Sequence, residues 1–336
     1  MTVARSNRRI VLVRRPTGIP APSDFARADV PVEEPGDGEF LVRNLLLSID
    51  PAQRGWVNAS ANYADPVPIG GVMRSLAVGV VEESRHHNVV AGEHLYGWFG
   101  WQDYCVGSDA KLLRKVDPHQ APLSAALGVL GITGISAYLA LTEIGQPTPG
   151  ETVLVSTAAG AVGSIVGQIA RRHGCHVVGL TGSVEKAARC VTEFGYHAAV
   201  DYKAGLSADL IRKHCPDGID VFFDNTSGEI ADAVWPVLNS HARVVQCGTA
   251  AVPAWDPPPA GLRRDREVLV KRLRHEGFII FDHVARFPAV AAQLAAWLAD
   301  GSLRYREDIE HGLERAPEAL AALYRGQNDG KKIIEV

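Results

Sequence analysis

The stretch "VLVSTAAGAVGSIVGQIARRHGCHVVGLTGSVEKAARC", residues 153–190, restricts the fold more than any other segment. A β-rich run enters a turn of small residues, an apolar-faced helix follows, and a second β-rich run ends in Thr-Gly-Ser. A strand that passes through glycines into a helix and on to another strand implies parallel strands joined by a right-handed crossover. The alternation continues downstream. Strands are expected at 152–156, 176–180, 198–200, 220–224, 243–247 and 277–281. Helices are expected at 161–173, 184–194, 206–214, 230–239, 263–275 and 285–300. This pattern predicts a doubly wound parallel sheet. From about residue 8 to 125 the texture differs: short runs such as "RIVLVRR", "GEFLVRNLLLSID" and "LAVGVVEES" are broken by Gly and Pro, as in an all-β region. The final strand, "KKIIEV", could return to that region.

The turn contains Gly160, Ala161, Val162, Gly163 and, one helical turn later, Gly167. Gly160 would let the chain turn near a pyrophosphate, Gly163 would leave the helix N-terminus open to it, and Gly167 would let helix and sheet pack closely. Small residues also serve plain packing, so the strand–turn–helix context carries the nucleotide reading. In NAD-binding units an acidic residue about 20 positions on meets the ribose 2′-hydroxyl. Here the second strand ends in Thr181, Gly182 and Ser183, followed by Lys186 and Arg189. A carboxylate would repel a 2′-phosphate, whereas a hydroxyl and an ammonium attract one. NADP(H) is therefore expected over NAD(H), even if Ser183 also caps the next helix.

Composition narrows the remaining classes. Among 336 residues, 46% are hydrophobic and 21% charged, and the net charge is −4, which gives no electrostatic case for nucleic acid or an anionic membrane. The basic cluster Arg263, Arg264, Arg266, Lys271, Arg272 and Arg274 is interrupted by acids and reads as a solvated helix face. No apolar run is long enough to span a bilayer, and "MTVARSNRRIVLVRR" lacks a signal-peptide core, so a cytoplasmic location is expected. Five scattered cysteines form no CxxC pair, and twelve histidines form no HxxxH or HExxH pattern, so no metal site is expected. "RHHN" at 85–88 reads as a solvated turn.

Several separated segments together resemble one family. "SIDPAQRG", "ADPVPIGGVMRSLAVGVVEES", "LGVLGITGISAYLAL", "STAAGAVGSIVGQIA", "GSVEK", "DYK", "FFDNTSGEI" and "RGQNDGKKII" are similar, in order, to motifs of the zinc-independent medium-chain dehydrogenase/reductases. The group is that of leukotriene B4 dehydrogenase, prostaglandin reductase and the plant double-bond reductases. The resemblance implies a GroES-like β-barrel domain, residues 1–125 plus 303–336, around an inserted Rossmann domain, residues 126–302. It implies that Lys186 and Tyr202, beside Ser183, approach the 2′-phosphate. It also places Asn225, Cys247, Gly248, Phe278, Ile280 and Asn328 along the cofactor, with Asn328 near the nicotinamide carboxamide. A homodimer joined by Rossmann sheet edges is implied by analogy.

The expected chemistry is metal-free: NADPH delivers hydride to the β-carbon of an unsaturated ketone or aldehyde, and the protein steadies the developing enolate. The sequence departs from the family where the substrate should lie. The family tyrosine after the Cys-Gly strand is missing from "QCGTAAVPAWDPPP", where Pro253, Trp255 and Asp256 stand instead, and "DPYMRGRM" has become "DPAQRGWV". Tyr63 is the candidate to hold the carbonyl or relay a proton, His283 is a second catalytic candidate, and Trp56 and Trp255 could shape an aromatic pocket. Two other readings stay open: quinone reduction, and an NADPH-binding redox sensor with little turnover.

Overall fold

Branched and aromatic residues alternating with polar ones fold the first segment into antiparallel strands, as the computed structural model shows for residues 5–60, 62–252, 254, 257 and 259–336. Strand β1 (Ser6–Leu12) pairs with β2 (Phe25–Pro31). Then come β3 (Phe40–Ser48), the short helix α1 (Ala52–Trp56), β4 (Ala77–Ser84), β5 (His94–Gly97), β6 (Tyr104–Gly107) and β7 (Leu112–Val116).

At Val129 the chain enters a second compact unit, which it leaves at Arg306. Helix α2 (Ile132–Leu139) is followed by β8 (Thr152–Ser156), α3 (Gly163–Arg172), β9 (His176–Thr181), α4 (Val184–Thr192), β10 (Ala198–Asp201) and α5 (Ala208–His214). The second half contributes β11 (Ile219–Asp224), α6 (Gly228–Val234), β12 (Leu238–Gln246), α7 (Asp265–Lys271), β13 (Arg274–Gly277) and α8 (Phe287–Ala299). The six strands are parallel, in the order β10-β9-β8-β11-β12-β13. This is the doubly wound order, with its switch point between β8 and β11. Near-continuous Val, Leu and Phe in β8 and β11 match their burial on both faces.

The remaining chain, β14 (Glu307–His311), α9 (Ala316–Tyr324) and β15 (Lys331–Glu335), belongs to the first unit. There β15 runs antiparallel to β3 and parallel to β14, completing the sheet β14-β15-β3-β4-β5-β7. Strand β3 pairs with β6 through Phe40–Arg43 and with β15 through Leu46–Ser48, so one long strand serves two neighbours. The core of this unit gathers Phe40, Leu47, Trp56, Phe99, Trp101, Leu320 and Ile334.

Several boundaries depart from the sequence expectations. The strand expected at 277–281 lies at Arg274–Gly277, and Ile280–Arg286 forms a 3-10 turn. The helix expected at 263–275 stops at Lys271 because Arg272 is left-handed, with φ 51°. The helix expected at 230–239 ends at Val234, just before Pro236. The basic cluster is not simply solvated: Lys271 Nζ donates to the carbonyls of Leu238 (2.7 Å) and Pro236 (3.1 Å), and Arg264 pairs with Asp232 over the Trp235 ring. His86, expected in a solvated turn, is buried between the ring edge of Phe40 and the Asp109 carboxylate, 3.1 Å away.

Candidate functional site

The glycine turn is built by close approach more than by glycine conformation. The left-handed residue is Thr157, φ 50°, rather than Gly160. A Cβ on Gly163 would lie 2.4 Å from the Thr157 carbonyl oxygen and 2.9 Å from Ala158 Cα, both backbone atoms that cannot yield. Gly167 packs not on the strand directly but on the Tyr196 ring, which its Cβ would meet at 2.1 Å. That ring is fully buried, and its hydroxyl donates to the Gly163 carbonyl at 2.6 Å. Helix α3 starts at Gly163, and Val162 before it supplies no side-chain cap. The first amides of an uncapped helix and the positive end of its dipole suit a pyrophosphate. Ala161 and Val162 lie in this turn and are partly exposed.

At the end of β9 a set of donors converges. Ser183 caps α4, its Oγ accepting from the Lys186 amide at 3.2 Å. A Cβ on Gly182 would stand 3.0 Å from the Tyr202 hydroxyl and 3.3 Å from Lys203 Cε, so both side chains reach over the bare glycine. Burial, aided by Asp201, pushes the Tyr202 phenol up, which keeps its proton available for donation. Lys203 was missed in the sequence reading, although it is the third residue of the quoted "DYK". Glu185 also touches Ser183: its own backbone amide and the Ser183 hydroxyl hold its carboxyl below the usual range. An incoming phosphate would take that hydroxyl over from Glu185. Tyr202 and Lys203 over a bare glycine, beside the Ser183 hydroxyl and with Lys186 in the first turn of α4, fit a phosphate monoester, and the donor set passes this test for NADP(H).

At the switch point, Asp224 is almost fully buried and unifies the next group. Its carboxylate accepts from Ser156 Oγ, the Thr226 amide and hydroxyl, and the Ser227 amide, all at 2.8–3.1 Å. Its carbonyl receives the Cys247 and Gly248 amides. Asn225 Nδ2 donates to the Ser156 carbonyl at 2.8 Å, joining β8 to β11. A Cβ on Gly248 would lie 2.9 Å from the Asn225 carbonyl oxygen. The sequence reading thus found Asn225, Cys247 and Gly248, which the fold brings together, but missed the carboxylate that organises them. Burial pushes the Cys247 thiol up to about 12, so it is a packing group and no thiolate nucleophile.

Phe278 and Ile280 are buried just beyond β13, and the Phe278 amide bonds the Gln246 carbonyl. His283 stacks on Phe278, with ring centres 5.0 Å apart, and its Nδ1 lies 3.7 Å from Glu143, which also pairs with Arg286. It sits in the 3-10 turn instead of at the end of a strand, held between a ring and a carboxylate.

In the first unit, Tyr63 is half-exposed, and burial pushes its phenol up, with the Trp56 indole opposing. Trp56, expected to shape an aromatic pocket, is a core residue under Trp98 and Arg74. Pro253, Trp255 and Asp256 lie outside the described residues. Asn328 Nδ2 donates to the Gly330 carbonyl at 2.8 Å, shaping the turn before β15. Among the described residues no three His, Cys, Asp or Glu side chains come together as a metal-ligand group, and no helix is long and apolar enough to cross a membrane.

Comparison with known proteins identifies the family. Residues 8–116 match the family described as the N-terminal domain of oxidoreductase, and residues 161–297 match the family described as zinc-binding dehydrogenase. The chain is 41% identical to the NADPH-dependent curcumin reductase of Escherichia coli, covering 98% of this chain and 97% of the relative. It is 35% identical to the 2-alkenal reductase (NADP(+)-dependent) of Nicotiana tabacum, covering 98% of each. The crystal structure of CurA from Vibrio vulnificus in complex with NADPH superposes with a TM-score of 0.92 at 39% identity, over 98% of this chain and 99% of that one. The protein belongs to the double-bond reductase group of the medium-chain dehydrogenase/reductases and is an NADP-dependent oxidoreductase.

Proposed function

We propose that the protein reduces the C=C bond of α,β-unsaturated ketones or aldehydes by hydride transfer to the β-carbon. The observation that carries the proposal is the end-to-end likeness to relatives named for a 2-alkenal and for curcumin. Bound NADPH supplies the hydride. Ser183, Lys186, Tyr202 and Lys203 hold the 2′-phosphate, and the amides at Ala161–Gly163 hold the pyrophosphate. Asn225, Cys247, Gly248, Phe278, Ile280 and Asn328 orient the nicotinamide end. Tyr63 Oη donates a hydrogen bond to the substrate carbonyl, where negative charge grows as the β-carbon is attacked, and a proton from solvent then completes the α-carbon of the enolate. A phenol whose ionisation is disfavoured keeps the proton needed for that bond. His283, engaged by Phe278 and Glu143, is assigned the fixing of the Phe278 side of the pocket rather than proton transfer. The exposed edge strand β13 supports the expected homodimer joined by sheet edges.

The test is a panel of enones and enals assayed with NADPH deuterated at the transferable C4 position. A saturated carbonyl product carrying deuterium at the β-carbon is expected, and Tyr63→Phe should lower kcat by about 100-fold, the usual cost of one oxyanion donor. NADPH binding without turnover on any member of the panel would overturn the proposal, and an unchanged rate in Tyr63→Phe would remove Tyr63 from it.

A further inference from the structure

The segment between α9 and β15, residues 325–330, is tied at both ends to one short stretch of the first unit. On one side the Tyr324 hydroxyl donates to the Pro51 carbonyl at 2.7 Å. On the other, Lys331 Nζ donates to the Ile49 carbonyl and to Asp50 Oδ1, both at 2.8 Å. The Ile49 amide in turn bonds the Lys332 carbonyl at 3.1 Å. Asp50 is itself fixed, accepting from the Ser48 hydroxyl, while its amide donates to Gln53 Oε1 at 3.0 Å. The Lys331–Asp50 pair is buried, at 3% and 7% residue exposure.

A buried ion pair of this kind is a poor source of net stability. Desolvating both charges consumes most of the Coulombic gain, and an apolar pair of similar volume serves as well or better. What it supplies is a defined geometry. The ammonium is satisfied only when β15 stands in one position over the Ile49–Asp50 carbonyl and carboxylate. That position sets where the loop carrying Asn328 ends.

We propose that Lys331, through its pair with Asp50, is a positioning residue that holds the Asn328 loop in register for hydride transfer. The proposal rests on the reading above that Asn328 meets the nicotinamide end. Asp103 provides an internal control, a carboxylate of the same unit that pairs with Arg8 at 2.9 Å.

The experiment compares Lys331→Met, Asn328→Ala, the double variant and Asp103→Asn, using a 2-alkenal as substrate. The readouts are kcat, KM for NADPH, the primary isotope effect from C4-deuterated NADPH, and the melting temperature. Misplacing a reacting group by about 1 Å costs on the order of 100-fold, so Lys331→Met should lose roughly 10- to 100-fold in kcat with a changed isotope effect. The double variant should be no slower than the slower single one, because both act through one loop. Asp103→Asn should lower the melting temperature but leave kcat and the isotope effect near the parent. Should Lys331→Met fail to accumulate as folded protein, the pair Asp50→Asn with Lys331→Met, which leaves no unpaired charge between them, is read in its place. Multiplicative losses in the double variant, or a Lys331→Met enzyme that melts early yet turns over normally, would overturn the positioning role alone. An Asn328→Ala enzyme with parental kinetics would overturn it together with the cofactor reading of Asn328.

Discussion

Replacing Gly167 by alanine sets helix propensity against packing, and the two predict opposite signs. Gly167 lies inside α3, where alanine is favoured over glycine by about 1 kcal/mol. On propensity alone the variant should be more stable. The structure argues the reverse, because the new Cβ would stand 2.1 to 2.5 Å from three atoms of the Tyr196 side chain. The ring cannot simply swing away. It is buried, and on its other side a Cβ built on Gly179 would come within 3.1 Å of it, so two glycines form its slot. Overpacking of this kind costs about 1–3 kcal/mol. Displacing the ring also breaks the 2.6 Å bond from its hydroxyl to the Gly163 carbonyl, leaving a buried acceptor at a cost of about 1–3 kcal/mol. Set against the propensity gain, the net loss is roughly 1–5 kcal/mol, which in a unit of this size lowers Tm by a few degrees to about 20 °C. Differential scanning calorimetry measures it directly. Because the lost bond anchors the pyrophosphate turn, NADPH should also bind more weakly to the variant, read by titration calorimetry. A Gly167→Ala protein that melts at or above the parent temperature would refute the packing argument.

Two further outcomes follow from the same residues. Lys203→Ala should raise KM for NADPH about 10-fold or more, the scale of one hydrogen bond to a charged group, while leaving KM for NADH unchanged; equal effects on both coenzymes would remove Lys203 from the phosphate site. Glu307→Gln should stabilise the protein at neutral pH. Burial raises the Glu307 carboxyl above its ordinary value of 4.5, against the pull of Ser124 and Lys331, and its Oε1 has no partner. Its folded state therefore prefers the proton, so the stability it contributes is present below 4.5 and is lost as pH rises through the folded value. The melting-temperature difference between variant and parent should accordingly grow from pH 4 to pH 7, and a difference that shrinks would contradict the assignment.

The sheet of the second unit was legible because its interior strands are continuous apolar runs between glycine-marked turns. The edge strand was not. Arg274–Gly277 is exposed and charged, and it joins the sheet through backbone bonds to Arg243–Gln246, which no side-chain pattern announces. The apolar "FII" beside it looked like the strand, but its Phe278 and Ile280 are buried just beyond it. In the site, residue types that serve phosphate directly could be read from spacing. Asp224 could not, because its work is to accept bonds from residues on β8 and from the turn after β11, a meeting that exists only once the switch point has formed. Thr157 takes the left-handed conformation that glycine was expected to supply, as the strand-end packing of Gly163 demands.

The place of β15 between β14 and β3 has a consequence for how the chain assembles. Ile333 pairs with Ser48 across roughly three hundred residues, and everything between them includes an entire second sheet whose strands all come from one continuous segment. Contacts so distant along the chain form slowly. The doubly wound unit has every partner it needs once its own segment has been synthesised. The β-rich unit must instead wait, with the Leu46–Ser48 end of β3 unpaired on one side and open to other strands, so newly made protein is most prone to aggregate through that end.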